Sequence, residues 1–95
     1  HTPGHTAFAI HSGNQSMLAM SDTVRNPYLF ARHPEWQPIF DMDGPLSVKT
    51  RKRMLDRAAA DRMLVEAFHF PFPACGHIAR TRGGYELVPV EWAPL

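Results

Sequence analysis

The chain has 95 residues, of which 44% are hydrophobic and 11% aromatic, and its formal charge is +1. This composition excludes a disordered segment, and the balance of 10 basic against 9 acidic residues argues against a nucleic-acid-binding surface. No apolar run approaches the roughly 18 residues that a membrane span needs, and the single cysteine, Cys75, excludes an internal disulfide.

The first elements in chain order are two short strands. The segment "TAFAIHSG" alternates apolar and polar residues, the cluster "SGNQ" is typical of a turn, and "SMLAMSD" follows it. The pattern predicts a β-hairpin whose second strand ends on Ser21-Asp22. Residues 23–45 have no clean period and contain several prolines, so we expect a loop with short helical turns there.

The segment "DGPLSVKTRKRMLDRAAADR" carries the strongest helix signal. Asp43 is a suitable N-cap, and Pro45 suits the first helical turn. The apolar residues fall on one arc of this helix, so we expect the basic run "KTRKRM" to form its solvated face.

Three strands are predicted after the helix. "MLVEAFHF" indicates a buried strand that ends near His69, and "HIARTRGGYELVPVEW" indicates a hairpin that turns at Gly83-Gly84. The chain is therefore expected to be α/β, with a mixed sheet and one covering helix. Because one helix covers only one face of a sheet, we expect residues 1–95 to be part of a larger domain.

Three side chains stand at the ends of predicted strands, where side chains converge in front of a sheet, and could bind metal. They are His1, Asp22 and His69. Imidazole is a common zinc ligand, and a carboxylate has two oxygens with which it can bridge two ions. A chance set of this kind is easily found in a chain with six histidines, so spacing alone leaves the assignment open.

The motifs "HTPGHT", "SD" and "FHFPFP", in this order, resemble the C-terminal half of the metallo-β-lactamase fold. That superfamily of metallohydrolases has a "TPGHTPGH" segment, a bridging aspartate that usually follows glycine, and a later histidine. The tail "FHFPFPACGHIARTRGGYELVPV" is similar to the branch of methyl parathion hydrolase and the acyl-homoserine lactonase relatives.

The resemblance implies a site with two divalent metal ions, most simply zinc. His1 would bind one ion, His69 the other, and Asp22 would bridge them and be the catalytic carboxylate. The family's remaining ligands come from an upstream "HxHxDH" motif, which these residues lack. The segment then offers each ion two ligands, short of the three that catalytic zinc sites use, so we expect it to be inactive by itself.

The implied reaction is hydrolysis of lactones, esters or organophosphotriesters by a hydroxide that bridges the ions. Two alternatives stay open: a non-catalytic module of the same fold used for protein association, or different chemistry on that fold. The second alternative would be a thioester hydrolase of the glyoxalase II type or an iron-dependent oxygenase.

Several other residues receive secondary roles. The resemblance gives His5 a structural role beneath the site, whereas His77 is expected to be structural or at the surface. Arg25 stands where related lactonases have a pocket tyrosine, and Phe40 and Phe72 are candidates for an apolar pocket wall.

The expected partners are a small-molecule substrate and the N-terminal half of the same protein, with no nucleic acid and no membrane. A homodimer is a further possibility, for which the aromatic loop between Tyr28 and Phe40 is the candidate contact. The sequence shows no leader pattern, so the localisation stays open between the bacterial cytoplasm and the periplasm.

Overall fold

A computed structural model of the chain describes residues 1–94. It contains five strands and one α-helix in the order β1 (Phe8–Ser12), β2 (Gln15–Ala19), α1 (Gly44–Ala60), β3 (Leu64–Glu66), β4 (Cys75–Thr81) and β5 (Gly84–Pro89). The α/β prediction and the order of strands and helix are thereby confirmed. No helix among residues 1–94 combines the length and the apolar character that crossing a bilayer requires.

The five strands form one mixed sheet in the order β1-β2-β3-β4-β5. Only β2 and β3 are parallel, with Ala19 opposite Glu66, and every other neighbouring pair is antiparallel. A parallel pair needs a crossover connection, and residues 20–63 supply it with α1 at its end. The carboxyl ends of β2 and β3 therefore lie side by side at one edge of the sheet.

The helix begins as the sequence predicts. The backbone N–H of Leu46 donates to Oδ1 of Asp43 (3.0 Å), and Pro45 occupies the first turn, where it displaces no helical hydrogen bond. Leu55 and Ala58 of α1 are completely buried, and they join strand and loop residues in one hydrophobic core. That core consists of Leu18, Met20, Val24, Ala31, Leu55, Ala58, Met63, Val65, Ala67, Phe70, Ile78 and Tyr85.

Three local predictions differ from the structure. Strand β2 ends at Ala19 rather than at Asp22, because Ser21–Thr23 form a turn of 3-10 helix. Strand β3 ends at Glu66, and a further turn, closed by the N–H of Phe70 donating to the carbonyl of Ala67, carries His69. The basic run of α1 is not wholly solvated, because the Arg51 side chain is buried with 1% exposure.

Strand β1, near the start of the chain, is exposed to solvent in this structure. All five residues of β1 are exposed, including Phe8 and Ile10. A strand that leaves large apolar side chains on the surface is unusual for a complete domain, in which such residues are normally covered. This exposure agrees with the expectation that residues 1–95 belong to a larger domain.

Candidate metal centre

The parallel pairing of β2 and β3 places Asp22 and His69 next to each other. Ala19 and Glu66 are opposite one another in the register, and each of the two site residues follows three positions later. In a parallel pair, equal displacement beyond the paired residues brings two side chains to the same edge of the sheet. Nε2 of His69 lies 2.9 Å from Oδ1 of Asp22.

His1 approaches the other oxygen of the same carboxylate. Its Nε2 lies 3.6 Å from Oδ2 of Asp22, and both side chains are about one-fifth exposed. Two donor atoms that bind one zinc ion at about 2.0–2.1 Å with tetrahedral geometry lie about 3.3 Å apart. The separation between His1 and Asp22 is close to this value, whereas His69 and Asp22 are somewhat closer together. The structure thus brings the three sequence-predicted ligands together, one imidazole at each oxygen of Asp22.

An unsatisfied oxygen lies at the centre of this group. Oδ1 of Asp22 is buried and accepts no hydrogen bond from residues 1–94, even though His69 is near it. A buried carboxylate oxygen that accepts no hydrogen bond is costly, and a cation would stabilise it. The imidazole and carboxylate donors also suit zinc, so the residues present fit a metal site.

No three or more His, Cys, Asp or Glu side chains of the described part of the chain surround a single ion position. This agrees with the geometry above, in which each imidazole shares only Asp22 with its prospective ion. A full set of ligands would need side chains from outside these residues.

His5 supports the position of Asp22 from below. The backbone N–H of Asp22 donates to Nε2 of His5 (3.0 Å), and the His5 ring meets the His1 ring edge-on at 5.5 Å between centroids. Because Nε2 of His5 accepts this hydrogen bond, its lone pair is not available to a metal ion. His5 therefore has the structural role that the sequence analysis expects.

Backbone strain occurs directly before Asp22. Ser21 has a φ of 52°, in the left-handed region that glycine favours. The resemblance leads us to expect a glycine directly before Asp22, and the positive φ of Ser21 is a conformation that suits glycine. Strain of this kind is often found at functional sites.

Sequence reasoning missed a buried polar network beside His1. It consists of Asp41, Ser47 and Arg51, and the side chains of Asp41 and Arg51 are each 1% exposed. Burial lowers the pKa of the Arg51 guanidinium, and the adjacent Asp41 carboxylate opposes that shift. Ser47 and Arg51 share a helix face with Leu55 and Ala58. The presence of two polar residues on the apolar arc of α1 is the sequence feature from which this buried network could have been predicted.

The predicted pocket residues lie in two separate aromatic contacts. The Arg25 guanidinium stands 4.8 Å from the Phe40 ring centroid, whereas the Phe72 ring lies 6.0 Å from the ring of Trp92. A cavity of about 480 Å³ opens beside His1 and is lined by other residues, including Met42, Leu46 and Arg53. The role of Arg25, Phe40 and Phe72 in a substrate pocket stays a prediction.

The other histidines and the cysteine lie outside the candidate metal centre. His11, His33 and His77 are exposed, and Cys75 is a half-buried free thiol in β4 opposite Glu66.

Two solved hydrolase structures are similar to this chain over 98% of its length. The first is AidC, a dizinc quorum-quenching lactonase solved with the product N-hexnoyl-L-homoserine, with a TM-score of 0.92 and 27% identity. The second is the hydrolase AbOPH of the beta lactamase superfamily, with a TM-score of 0.91 and 26% identity. The chain spans about a third of these proteins, 32% of each.

No family model matches the sequence, and no curated protein matches it significantly. The agreement in fold and the order of the motifs nevertheless define the class: the chain is a portion of a metallo-β-lactamase-superfamily fold. It corresponds to the C-terminal part of that fold, as the resemblance in the sequence implies.

Proposed function

We propose that residues 1–95 form the C-terminal portion of a hydrolase domain that uses two divalent metal ions, most simply zinc. The observation that carries the proposal is the position of Asp22 between two imidazoles, with Oδ2 toward His1 and Oδ1 toward His69. A carboxylate that offers one oxygen to each of two histidines is suited to bridge two ions. The dizinc lactonase among the similar structures supports the same reading.

The residues of this chain would have different roles at the proposed site. His1 and His69 would each fix one ion, and Asp22 would keep the ions close together. His5 would hold the Asp22 backbone through its hydrogen bond, which fixes the direction of the carboxylate. When bound, two such ions lower the pKa of water and polarise a carbonyl or phosphoryl oxygen of the substrate.

The substrates we propose are small neutral molecules with a carbonyl or phosphoryl centre: lactones first, then esters and organophosphotriesters. A lactonase among the similar structures favours lactones. Arg25 has the chemistry to pair a substrate oxygen, because a guanidinium presents several donors. The isolated segment would be inactive, because it offers each ion only two ligands.

The test uses the complete protein, the polypeptide that contains these residues and the upstream segment. We expect about two zinc ions per polypeptide by elemental analysis. His1→Ala and His69→Ala should each lose about one ion and lower lactone turnover more than about 100-fold, because even the residues that orient a ligand cost 10–100-fold. His11→Ala, which removes an exposed histidine of β1, is the matched control and should leave both quantities unchanged.

Unchanged zinc content and turnover in His69→Ala would exclude His69 as a ligand and overturn the proposal. A wild-type protein that holds no metal and hydrolyses none of the three substrate classes would favour the non-catalytic module. Iron in place of zinc, or turnover confined to thioesters, would point to one of the other chemistries of the fold.

A further inference from the structure

A buried carboxylate lies directly behind the His1 ring. Oδ1 of Asp41 is 3.3 Å from Nδ1 of His1, on the side of the ring away from Asp22. The His1 side chain is 21% exposed and that of Asp41 is 1% exposed, so the contact points into the protein. One ring nitrogen of His1 therefore faces the candidate metal centre, and the other faces Asp41.

Asp41 is itself fixed by the first turns of α1. The Ser47 hydroxyl donates to Oδ2 of Asp41 (2.5 Å), and an Arg51 guanidinium nitrogen lies 3.4 Å from the same oxygen. The same guanidinium nitrogen also donates to the Ser47 hydroxyl oxygen (3.3 Å). With Oδ2 held by two donors, Oδ1 remains available to accept a hydrogen bond from His1.

The backbone holds His1 at a second point. The N–H of Met42 donates to the carbonyl oxygen of His1 (2.8 Å), and Asp43 caps α1 in the following position. Residues 41–43 thus connect both the ring and the backbone of His1 to the start of the helix. Such a rigid support is what a metal ligand needs to keep its direction.

We propose that Asp41 is the positioning residue for His1. Oδ1 of Asp41 accepts a hydrogen bond from Nδ1–H of the imidazole. This contact selects the tautomer in which Nε2 carries no proton, so that its lone pair would be available to the ion shared with Asp22. Ser47 and Arg51 keep the carboxylate in place for this contact. The inference rests on the proposed metal site and assigns to it a residue that neither the motifs nor the spacing indicates.

The experiment compares Asp41→Ala and Asp41→Asn with wild type in the complete protein. Asp61→Asn removes an exposed carboxylate at the end of α1 and is the matched control. The first measurement is the affinity of each of the two zinc ions by competition with a chelator. The second is the tautomer of His1 in the zinc-free protein near about pH 8.5, read from the ring ¹⁵N signals.

Asp41→Ala should weaken one zinc ion by about 10–100-fold and leave the other within about threefold, because only one ion depends on His1. The His1 proton should move away from Nδ1 in a large fraction of molecules. Asp41→Asn should give an intermediate loss, because its amide oxygen still accepts the hydrogen bond, and it also serves as the readout if Asp41→Ala does not fold.

Three results would overturn the inference. Wild-type zinc affinity and a wild-type tautomer in Asp41→Ala would overturn it while the proposed function stands. Equal weakening of both ions would indicate a general loss of structure instead of positioning. A wild-type protein that binds no zinc would overturn this inference and the proposed function together.

Discussion

Arg51 is the buried cation on which the loop between Asp22 and α1 depends, and Arg51→Met tests this directly. Its Nε donates to the carbonyl of Thr23 (2.9 Å), and Nη1 donates to the carbonyls of Pro34 and Trp36 (2.8 Å each). Nη2 donates to Oδ2 of Asp41 (3.4 Å) and to the Ser47 hydroxyl oxygen (3.3 Å). One side chain thus satisfies three backbone acceptors and one buried carboxylate.

The expected cost follows from those partners. Each buried carbonyl that loses its donor costs about 1–3 kcal/mol, and removing one partner of a buried ion pair costs about 3–5 kcal/mol. Because such energies are not additive, we expect Arg51→Met to lower the free energy of unfolding by about 5 kcal/mol or more. A loss of this size is comparable to the whole stability of many domains, about 5–15 kcal/mol.

The assay is urea unfolding of the complete protein, followed by circular dichroism, together with the soluble yield. Arg51→Lys keeps the charge but loses the planar fork of donors, so it should fold with a smaller loss of about 2–4 kcal/mol. Arg57→Met is the control, because Arg57 is an exposed arginine of the same helix with one long ion pair, and it should change stability by about 0.5 kcal/mol or less. A loss below about 2 kcal/mol in Arg51→Met would refute the reasoning that its hydrogen bonds hold the loop.

Two further predictions concern the backbone before Asp22 and the tyrosine of β5. Ser21→Val should be less stable than Ser21→Gly by about 1–3 kcal/mol in urea unfolding, because a β-branched residue is strained at a positive φ. The same pair of substitutions at Ser16, in the extended strand β2, should give the opposite order, and an equal order at both positions would contradict the argument. Burial, together with the hydrogen bond to Asp56 and the charge of that carboxylate, raises the pKa of Tyr85 from 10.0 to about 12. Since the folded state holds this proton more tightly, its stabilising contribution is complete below about pH 10 and is lost as the pH rises through about 12. The difference in tyrosinate absorbance between wild type and Tyr85→Phe, followed against pH, measures the pKa of Tyr85. In an Asp56→Asn background this pKa should move back toward 10.0. An unchanged pKa in that background would exclude Asp56 as a cause of the shift.

The parts of the fold that the sequence predicts are those with local signals. Alternation around the "SGNQ" turn indicates the first hairpin, and Asp43 and Pro45 mark the start of α1. The last hairpin is also predicted, but its turn consists of Arg82 and Gly83, and Gly84 already belongs to β5. The ends of β2 and β3 were placed too late, because the turns that follow them depend on tertiary contacts. Ser21 in particular adopts a positive φ that no propensity for serine predicts.

The candidate site was predictable only in part. The order of His1, Asp22 and His69 is readable through the family resemblance, whereas their spacing alone is not informative. The network behind His1 was missed because a buried arginine is rare, and the basic run around it is typical of a solvated helix face. Arg51 is buried because three backbone carbonyls, 15 to 28 residues earlier in the chain, accept hydrogen bonds from it, which only the folded chain reveals.

The single parallel pairing in the sheet has a consequence for the order in which this part of the protein assembles. Asp22 and His69 meet only after β2 and β3 have joined across residues 20–63, a long-range closure that is entropically costly and therefore slow. A cation that needs both side chains has no binding place in the nascent chain before that closure. An ion held by both side chains at the proposed site would bind the joined strands and not the open chain, and it would therefore stabilise this topology.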